Sequence, residues 1–154
     1  MGKRSNFERV ERDYYPTPIA AVEPLIPHLP YTFDYVEPCA GDARLIQHID
    51  ELTGGHGECL YACDIDPRHP DVFTFDALTL DFGERGVVDY CITNPPWDRK
   101  ILHPMIAHWM YRCPTWLLFD ADWMHTKQSA WFMSYCTKVV SVGRVKWIEG
   151  SKSV

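Results

Sequence analysis

The chain lacks any stretch of about 18 consecutive apolar residues, which excludes a helix that spans a bilayer. Its opening, Met1-Gly2-Lys3-Arg4-Ser5, is charged with no apolar run behind it, which excludes a secretory signal. The Met1-Gly2 pair is a weak acylation pattern, because Ser5 stands one position too early. Low-complexity tracts and internal repeats are also missing, so neither a disordered chain nor a solenoid is expected. There is no CxxC and no paired Cys/His spacing. The six cysteines are scattered, mostly inside apolar runs such as Tyr61-Ala62-Cys63. They read as buried free thiols of a reducing compartment, with no metal site. A soluble, cytoplasmic protein is the expectation. Excess positive charge is absent as well: the formal net charge is −6, awkward for a chain that grips phosphates. The basic residues are nevertheless grouped, with Lys3, Arg4, Arg9 and Arg12 at the start, Arg99-Lys100 in the middle, and Arg144, Lys146 and Lys152 at the end.

What is present is enough chain for one domain with a real core, 154 residues of which 46% are hydrophobic. Residues 1–13 are charged and expected to be mobile, and residues 14–154 form a single domain. From Phe33 onward, short β-type runs alternate with helical stretches. Strands are expected at Phe33–Glu37, Leu60–Asp64, Val72–Phe75, Asp89–Thr93, Trp116–Phe119 and Lys138–Val142, the last running on toward Trp147. Each is short and rich in β-branched or aromatic residues, as strands covered on both faces should be. Helices are expected at Arg44–Leu52, at Ile101–Arg112 with Pro104 in its first turn, and at Thr126–Tyr135. Pro18–Leu29 reads as a helix interrupted by Pro24 and Pro27. The alternation predicts an α/β domain with a mainly parallel twisted sheet and helices on both faces.

Ligands of such sheets bind at the carboxyl ends of the strands, near the switch point, so the loops after the strands hold the chemistry. The first ends in Glu37-Pro38-Cys39-Ala40-Gly41-Asp42. A carboxylate and a glycine in a tight turn can hold a cationic amine and admit close backbone approach. One glycine is short of the full GxGxxG of a pyrophosphate site, and alone this turn could be ordinary packing. The second ends in Asp64-Ile65-Asp66-Pro67, an acidic group about 20 residues past the glycine turn, placed to accept from ribose hydroxyls. The third ends in Asp76-Ala77, where a carboxylate could accept from an adenine amino group. Taken singly, each Asp serves equally well as a helix cap or turn former. In this order, together, they describe a nucleoside pocket.

The sharpest signal follows the fourth strand, Asn94-Pro95-Pro96-Trp97. Two prolines fix an extended loop that presents the Asn94 amide and the Pro95 carbonyl as rigid acceptors. A planar NH2 group donating to both would have its lone pair localised and aimed at an electrophilic carbon. Trp97 offers a face for stacking. No general base with a tuned pKa is required to begin; positioning and electrostatics are the main effects. A rigid turn with a packed Trp is the plainer alternative.

The order Tyr15-Pro16-Thr17-Pro18, Glu37-Pro38-Cys39-Ala40-Gly41, Asp64-Ile65-Asp66-Pro67, Asp76-Ala77 and Asn94-Pro95-Pro96-Trp97 resembles class I S-adenosylmethionine-dependent methyltransferases that methylate exocyclic amines. It is most similar to N6-adenine DNA methyltransferases whose cofactor motifs precede the catalytic one. The stretches Trp116–Trp123 and Gly143–Ser151 resemble small phage-type members of that group. The resemblance implies a Rossmann-like methyltransferase domain; DNA methyltransferases commonly carry a target-recognition domain as well, for which this chain is expected to have no room. It implies also a C-terminal hairpin, of which Gly150-Ser151-Lys152-Ser153-Val154 supplies no more than the turn. By position, Thr17 would lie beside the methionine end of S-adenosylmethionine, with Glu37 and Gly41 flanking its amino-acid moiety. Asp64 would hold the ribose, and Ile65 with Asp76-Ala77 would frame the adenine. Asn94 and Pro95 would bind the target nitrogen and Trp97 would stack on its ring. Asp120 and Asp122-Trp123 line the acceptor side or cap a helix. The implied activity is methylation of an exocyclic amine in DNA, foremost N6 of adenine. RNA bases, cytosine N4, a protein glutamine amide, or a cofactor-binding module without transfer activity remain alternatives.

Overall fold

A computed structural model describes residues 14–80 and 88–147. The expected mobile segment 1–13, its basic cluster, and the closing turn at Gly150–Val154 lie outside the described residues. Five strands, β1 (Phe33–Glu37), β2 (Gly57–Asp64), β3 (Phe73–Thr74), β4 (Tyr90–Thr93) and β5 (Thr115–Leu117), form an all-parallel sheet in the order β3-β2-β1-β4-β5. The chain winds outward from β1 in one direction and then returns to β4 on its other side. The switch point therefore lies between the carboxyl ends of β1 and β4.

Alternation along the two central strands builds a core on each face. Phe33, Tyr35 and Ile92 pack with Val22, Leu45 and Ile49, the buried residues of α1 (Ile19–Val22) and α2 (Arg44–Thr53). Val36 and Cys91 point the other way, onto Trp109 of α3 (Arg99–Met110) and Cys113 beyond it. Both faces of β1 are thus covered by helices, which is why Phe33, Tyr35 and Val36 are all buried on it. A third cluster, Leu102, Ile106 and Trp123, attaches the segment after β5 to α3.

Several boundaries differ from expectation for identifiable reasons. β2 begins three residues earlier than Leu60, at Gly57, and the β1–β2 register slips between Tyr35 and Val36, passing over Leu60. That irregularity interrupts the alternation which marks a strand. Gly57 itself is forced, since a Cβ there would meet the Phe33 ring at 2.5 Å. Val72–Phe75 contracts to the two-residue β3. Between Pro18 and Leu29 only α1 is α-helical; Glu23–His28 is a 3-10 segment around the two prolines, which withhold N–H donors. α3 starts at Arg99, with the Asp98 carboxylate accepting from the Lys100 N–H at 3.0 Å, so Pro104 sits in the second turn rather than the first. The expected helix Thr126–Tyr135 divides into a 3-10 turn at Lys127–Ser129 and a short α4 (Ala130–Met133). There the Ser129 hydroxyl donates to the Met124 and Thr126 carbonyls, competing with the helical pattern.

The largest correction concerns Lys138–Val142. This segment forms no strand, nor does the continuation to Trp147. Val140, Val142, Val145 and Trp147 are half-buried, but Val139 is 61% exposed and among the described residues no ladder partner takes up the backbone. The alternation is present without the pairing that turns it into a strand. Among the described residues, no helix is long and apolar enough to cross a membrane.

Candidate active site

β1 delivers Glu37 into the middle of the molecule. Its side chain is 1% exposed, and Oε1 accepts from the Cys39 N–H at 3.1 Å. Among the described residues, Oε2 is buried and makes no well-formed hydrogen bond, and neither does the Oγ1 of neighbouring Thr93 at the end of β4. Burial pushes the Glu37 carboxyl up to about 8; the Thr93 hydroxyl, which acts on it without a well-formed hydrogen bond, and the Cys39 N–H hold it back, and the Asp64 carboxylate adds to the rise. A carboxyl with one empty acceptor in a buried site is neutral at pH 7 until a cation reaches it.

The turn after β1 is held from several sides. Gly41 has φ +50 and Ala43 φ 63, so two residues in three adopt the left-handed region before α2 begins. Ala43 does so with a Cβ, at a cost of about 1–2 kcal/mol, and its methyl packs against Ala40 and Val72. Asp64, from the end of β2, accepts from the Gly41 N–H at 2.9 Å through Oδ2 and from the Asp66 N–H at 2.8 Å through Oδ1. The Asp64 carboxylate thus already clamps the two loops together, using one lone pair on each oxygen. A Cβ on Gly41 would lie 2.9 Å from the Tyr14 ring. The Arg68 guanidinium lies 3.7 Å from the centroid of that ring, and the Arg68 N–H donates to the Gly41 carbonyl. Gly41 is therefore needed for Tyr14 to pack, and direct approach to its backbone is taken by that ring. Burial and the adjacent Asp42 carboxylate push the Tyr14 hydroxyl up to about 12.

The same N-terminal strap crosses from β1 to β4. Thr17 is buried, and its Oγ1 accepts from Asn94 Nδ2 at 3.1 Å, while the Tyr15 carbonyl accepts from the same nitrogen at 3.4 Å. A carbonyl can only accept, so this contact fixes which end of the Asn94 amide is nitrogen. Its Oδ1 is left as an acceptor directed away from the strap. His48 of α2 secures the arrangement, its Nε2 lying 3.1 Å from the Thr17 carbonyl, which makes that nitrogen the donor. The loop Asn94–Asp98 has no helix or strand structure, as two prolines require, with Pro95 buried. Trp97 is half-buried, and the Trp147 indole meets it edge to face at 6.1 Å.

The structure thus brings Thr17, Glu37, Gly41, Asp64 and Asn94 to the switch point, with Pro38 and Cys39 in the turn itself. Ile65 and Asp76 stand further out. Ile65 is 63% exposed, the Asp76 Oδ1 accepts from the Leu78 N–H at 2.9 Å, and Ala77 is buried. Asp120 caps the turn at Ala121–His125 through the Asp122 N–H, and Trp123 is buried against α3. Tyr14, His48, Thr93 and Trp147 escaped the sequence reading; only Tyr14, directly beside the Tyr15-Pro16-Thr17 motif, carried a local signal. The cysteines are free, and Cys136, expected to be buried, is exposed. Burial raises the thiols of Cys59 and Cys63 to about 12 and that of Cys39 well above its ordinary value, so they stay protonated. No family model matches the chain, and neither does any curated protein or solved structure.

Proposed function

We propose that the chain is a Rossmann-like class I methyltransferase that carries a methyl group from S-adenosylmethionine to an exocyclic amino nitrogen of a nucleic-acid base, foremost N6 of adenine in DNA. The observation that carries this reading is the Asn94 amide. Its nitrogen is committed to Thr17 and Tyr15, which leaves Oδ1, beside a proline-fixed backbone, to accept from a planar amine. Two acceptors in fixed positions, Asn94 Oδ1 and the Pro95 carbonyl, can orient such an amine without removing its proton first. Aniline-type nitrogens and amides are poor nucleophiles because the lone pair is delocalised. Drawing both N–H bonds toward acceptors favours the pyramidal nitrogen that attacks.

The residues at the switch point fit the cofactor. The buried Oε2 of Glu37, without a partner, suits the ammonium of an amino-acid moiety, and ion pairing there would draw the carboxyl back to its charged form. Asp64 retains lone pairs for ribose hydroxyls beyond the two it gives to backbone N–H groups. In this reading Ile65 and Asp76-Ala77, after the second and third strands, would frame the adenine ring. Bound S-adenosylmethionine would supply an electrophilic methyl group. Trp97, buttressed by Trp147, offers the acceptor base a ring face.

The test is incubation with methyl-labelled S-adenosylmethionine and, separately, duplex DNA, single-stranded DNA, RNA and cell-extract protein. Label recovered as N6-methyladenine, falling on the order of 100- to 1,000-fold in Asn94→Ala, supports the reading. Transfer that survives Asn94→Ala, or label confined to protein amides, overturns it.

A further inference from the structure

The layer that follows β5 carries aromatic surface which packing does not account for. β4 and β5 are parallel neighbours, and the Leu118 N–H donates to the Thr93 carbonyl at 3.0 Å. The turns and α4 that come next therefore stand on the same carboxyl-end rim as the Asn94 loop. Trp123 anchors the layer: its Nε1–H donates to His103 Nε2 of α3 at 3.0 Å, and Phe119 meets it edge to face at 4.9 Å. The His103 ring lies 4.9 Å from Phe132. From Phe132 the series continues outward to Trp131, at 4.9 Å, and from Trp131 to Tyr135, at 5.3 Å. Phe132 is half-buried, but Trp131 is 48% and Tyr135 54% exposed. Burial explains the inner rings and leaves the outer pair without a structural task.

Charge separates this region from the rest. Residues 14–80 hold eleven acidic and two basic side chains, a formal −9, whereas residues 88–147 hold four acidic and seven basic, a formal +3. Lys127, Lys138, Arg144 and Lys146 all come after β5, against Asp120 and Asp122, and the Asp120 carboxylate is already occupied as a cap.

We infer that this rim takes an unpaired nucleic-acid strand, its bases stacking on Trp131 and Tyr135 and its phosphates beside the basic side chains. The inference rests on the reading of Asn94 as the amine-binding residue and names the form of its substrate: a base already free of a duplex. Every base has a ring face, so exposed aromatics hold single strands with little regard to sequence. A duplex hides those faces, and extruding a base from it carries an unstacking cost that this small surface is poorly equipped to recover. Self-association through the same rings would bring together two copies of a segment in which basic side chains outnumber acidic ones.

The experiment uses the full chain and fluorescein-labelled oligonucleotides about 20 nucleotides long, beyond the span that one such surface covers. Single-stranded DNA, RNA of the same sequence and the DNA duplex are titrated by fluorescence anisotropy. In parallel, labelled S-adenosylmethionine binding is followed by equilibrium dialysis. Single strands should bind more tightly than duplex, with affinity falling as salt rises. Trp131→Ala and Tyr135→Ala should each lose on the order of tenfold, and Trp131→Phe should keep most of the affinity. The rings are exposed, so circular dichroism melts should match wild type. The DNA and RNA arms separate the two sources of strand. Alanine variants that bind like wild type, a duplex bound as tightly as the single strand, or a dimer in sedimentation that the alanine variants dissolve would each overturn the inference. Strand binding that depends on Trp131 without cofactor binding would leave this surface standing and remove methyl transfer. Cofactor binding with no affinity for strands would do the reverse.

Discussion

On the β2–β3 side of the switch point the carboxylates of Asp64 and Asp76 are taken up by backbone N–H groups, whereas on the β4–β5 side polar and aromatic groups are left open. Asp64 accepts from Gly41 and Asp66, and Asp76 accepts from Leu78. Asn94, by contrast, gives its nitrogen to the strap and keeps its oxygen for something else, and Trp131 and Tyr135 face solvent. Among the described residues the first half is acidic, with the Glu37 Oε2 and the Tyr35 hydroxyl as its buried side-chain atoms without a well-formed hydrogen bond; the second is basic and open. The difference suggests a division of labour, in which one half encloses a small cationic molecule and the other presents surface to a large anionic one.

Glu37→Gln tests the first half most severely. A buried charge pair with a cationic amine is worth one to two orders of magnitude in affinity, so S-adenosylmethionine binding should weaken roughly 10- to 100-fold, with less change in the rate at saturating cofactor. The wild-type carboxyl, raised to about 8, must lose its proton for that pairing. Affinity should therefore tighten as pH rises from 6 to 8 and level off above, with proton release visible by calorimetry in buffers of different ionisation enthalpy. The same shift makes the contribution of Glu37 to the stability of the ligand-free chain greatest below the ordinary carboxyl pKa, because the unfolded chain ionises first. That contribution should fall progressively as pH rises to about 8 and then stay flat. Thermal melts of Glu37→Gln lack that slope if Glu37 is its source. An affinity indifferent to both the substitution and pH would end the division of labour proposed here.

A smaller effect is expected where the halves meet. Thr17→Val deletes the acceptor that fixes the Asn94 amide, a hydrogen bond of about 1 kcal/mol in a site that depends on orientation. Turnover at saturating substrates should fall about 5- to 10-fold, and Thr17→Ser should restore it, whereas a purely packing role would be served by valine. The smallest effect belongs to the turn between β1 and α2. Ala43→Gly relieves a left-handed residue with a Cβ and removes a methyl from a small core cluster. These terms oppose, so denaturant melts should shift by less than about 1 kcal/mol. A larger loss would mean that packing of that methyl, rather than backbone strain, governs the turn.

β1, β2, β4 and β5, along with α2 and α3, were legible because each combines an apolar run with a boundary that local rules recognise, such as Gly54 closing α2 in the left-handed region. The extended shape of Asn94–Trp97 was equally legible, since proline sets φ and restricts its predecessor wherever it occurs. The segment Lys138–Trp147 misled because alternation reports which side chains prefer burial and says nothing about whether a ladder partner is at hand. Likewise Thr126–Tyr135 carries helical spacing, but the Ser129 hydroxyl takes the backbone carbonyls that a continuous helix would use.

Chain-local chemistry was thus sufficient for the residue types at each strand end and for the order in which they come. Their roles required the assembled sheet. Thr17 orients an amide 77 positions away, Trp147 reaches Trp97 from the far end of the described chain, and the empty acceptor on Glu37 exists only because β1 is covered on both faces. Hydrogen-bond partners, burial and the pKa shifts that follow are set by atoms brought together from distant parts of the chain, and no window along the sequence contains them.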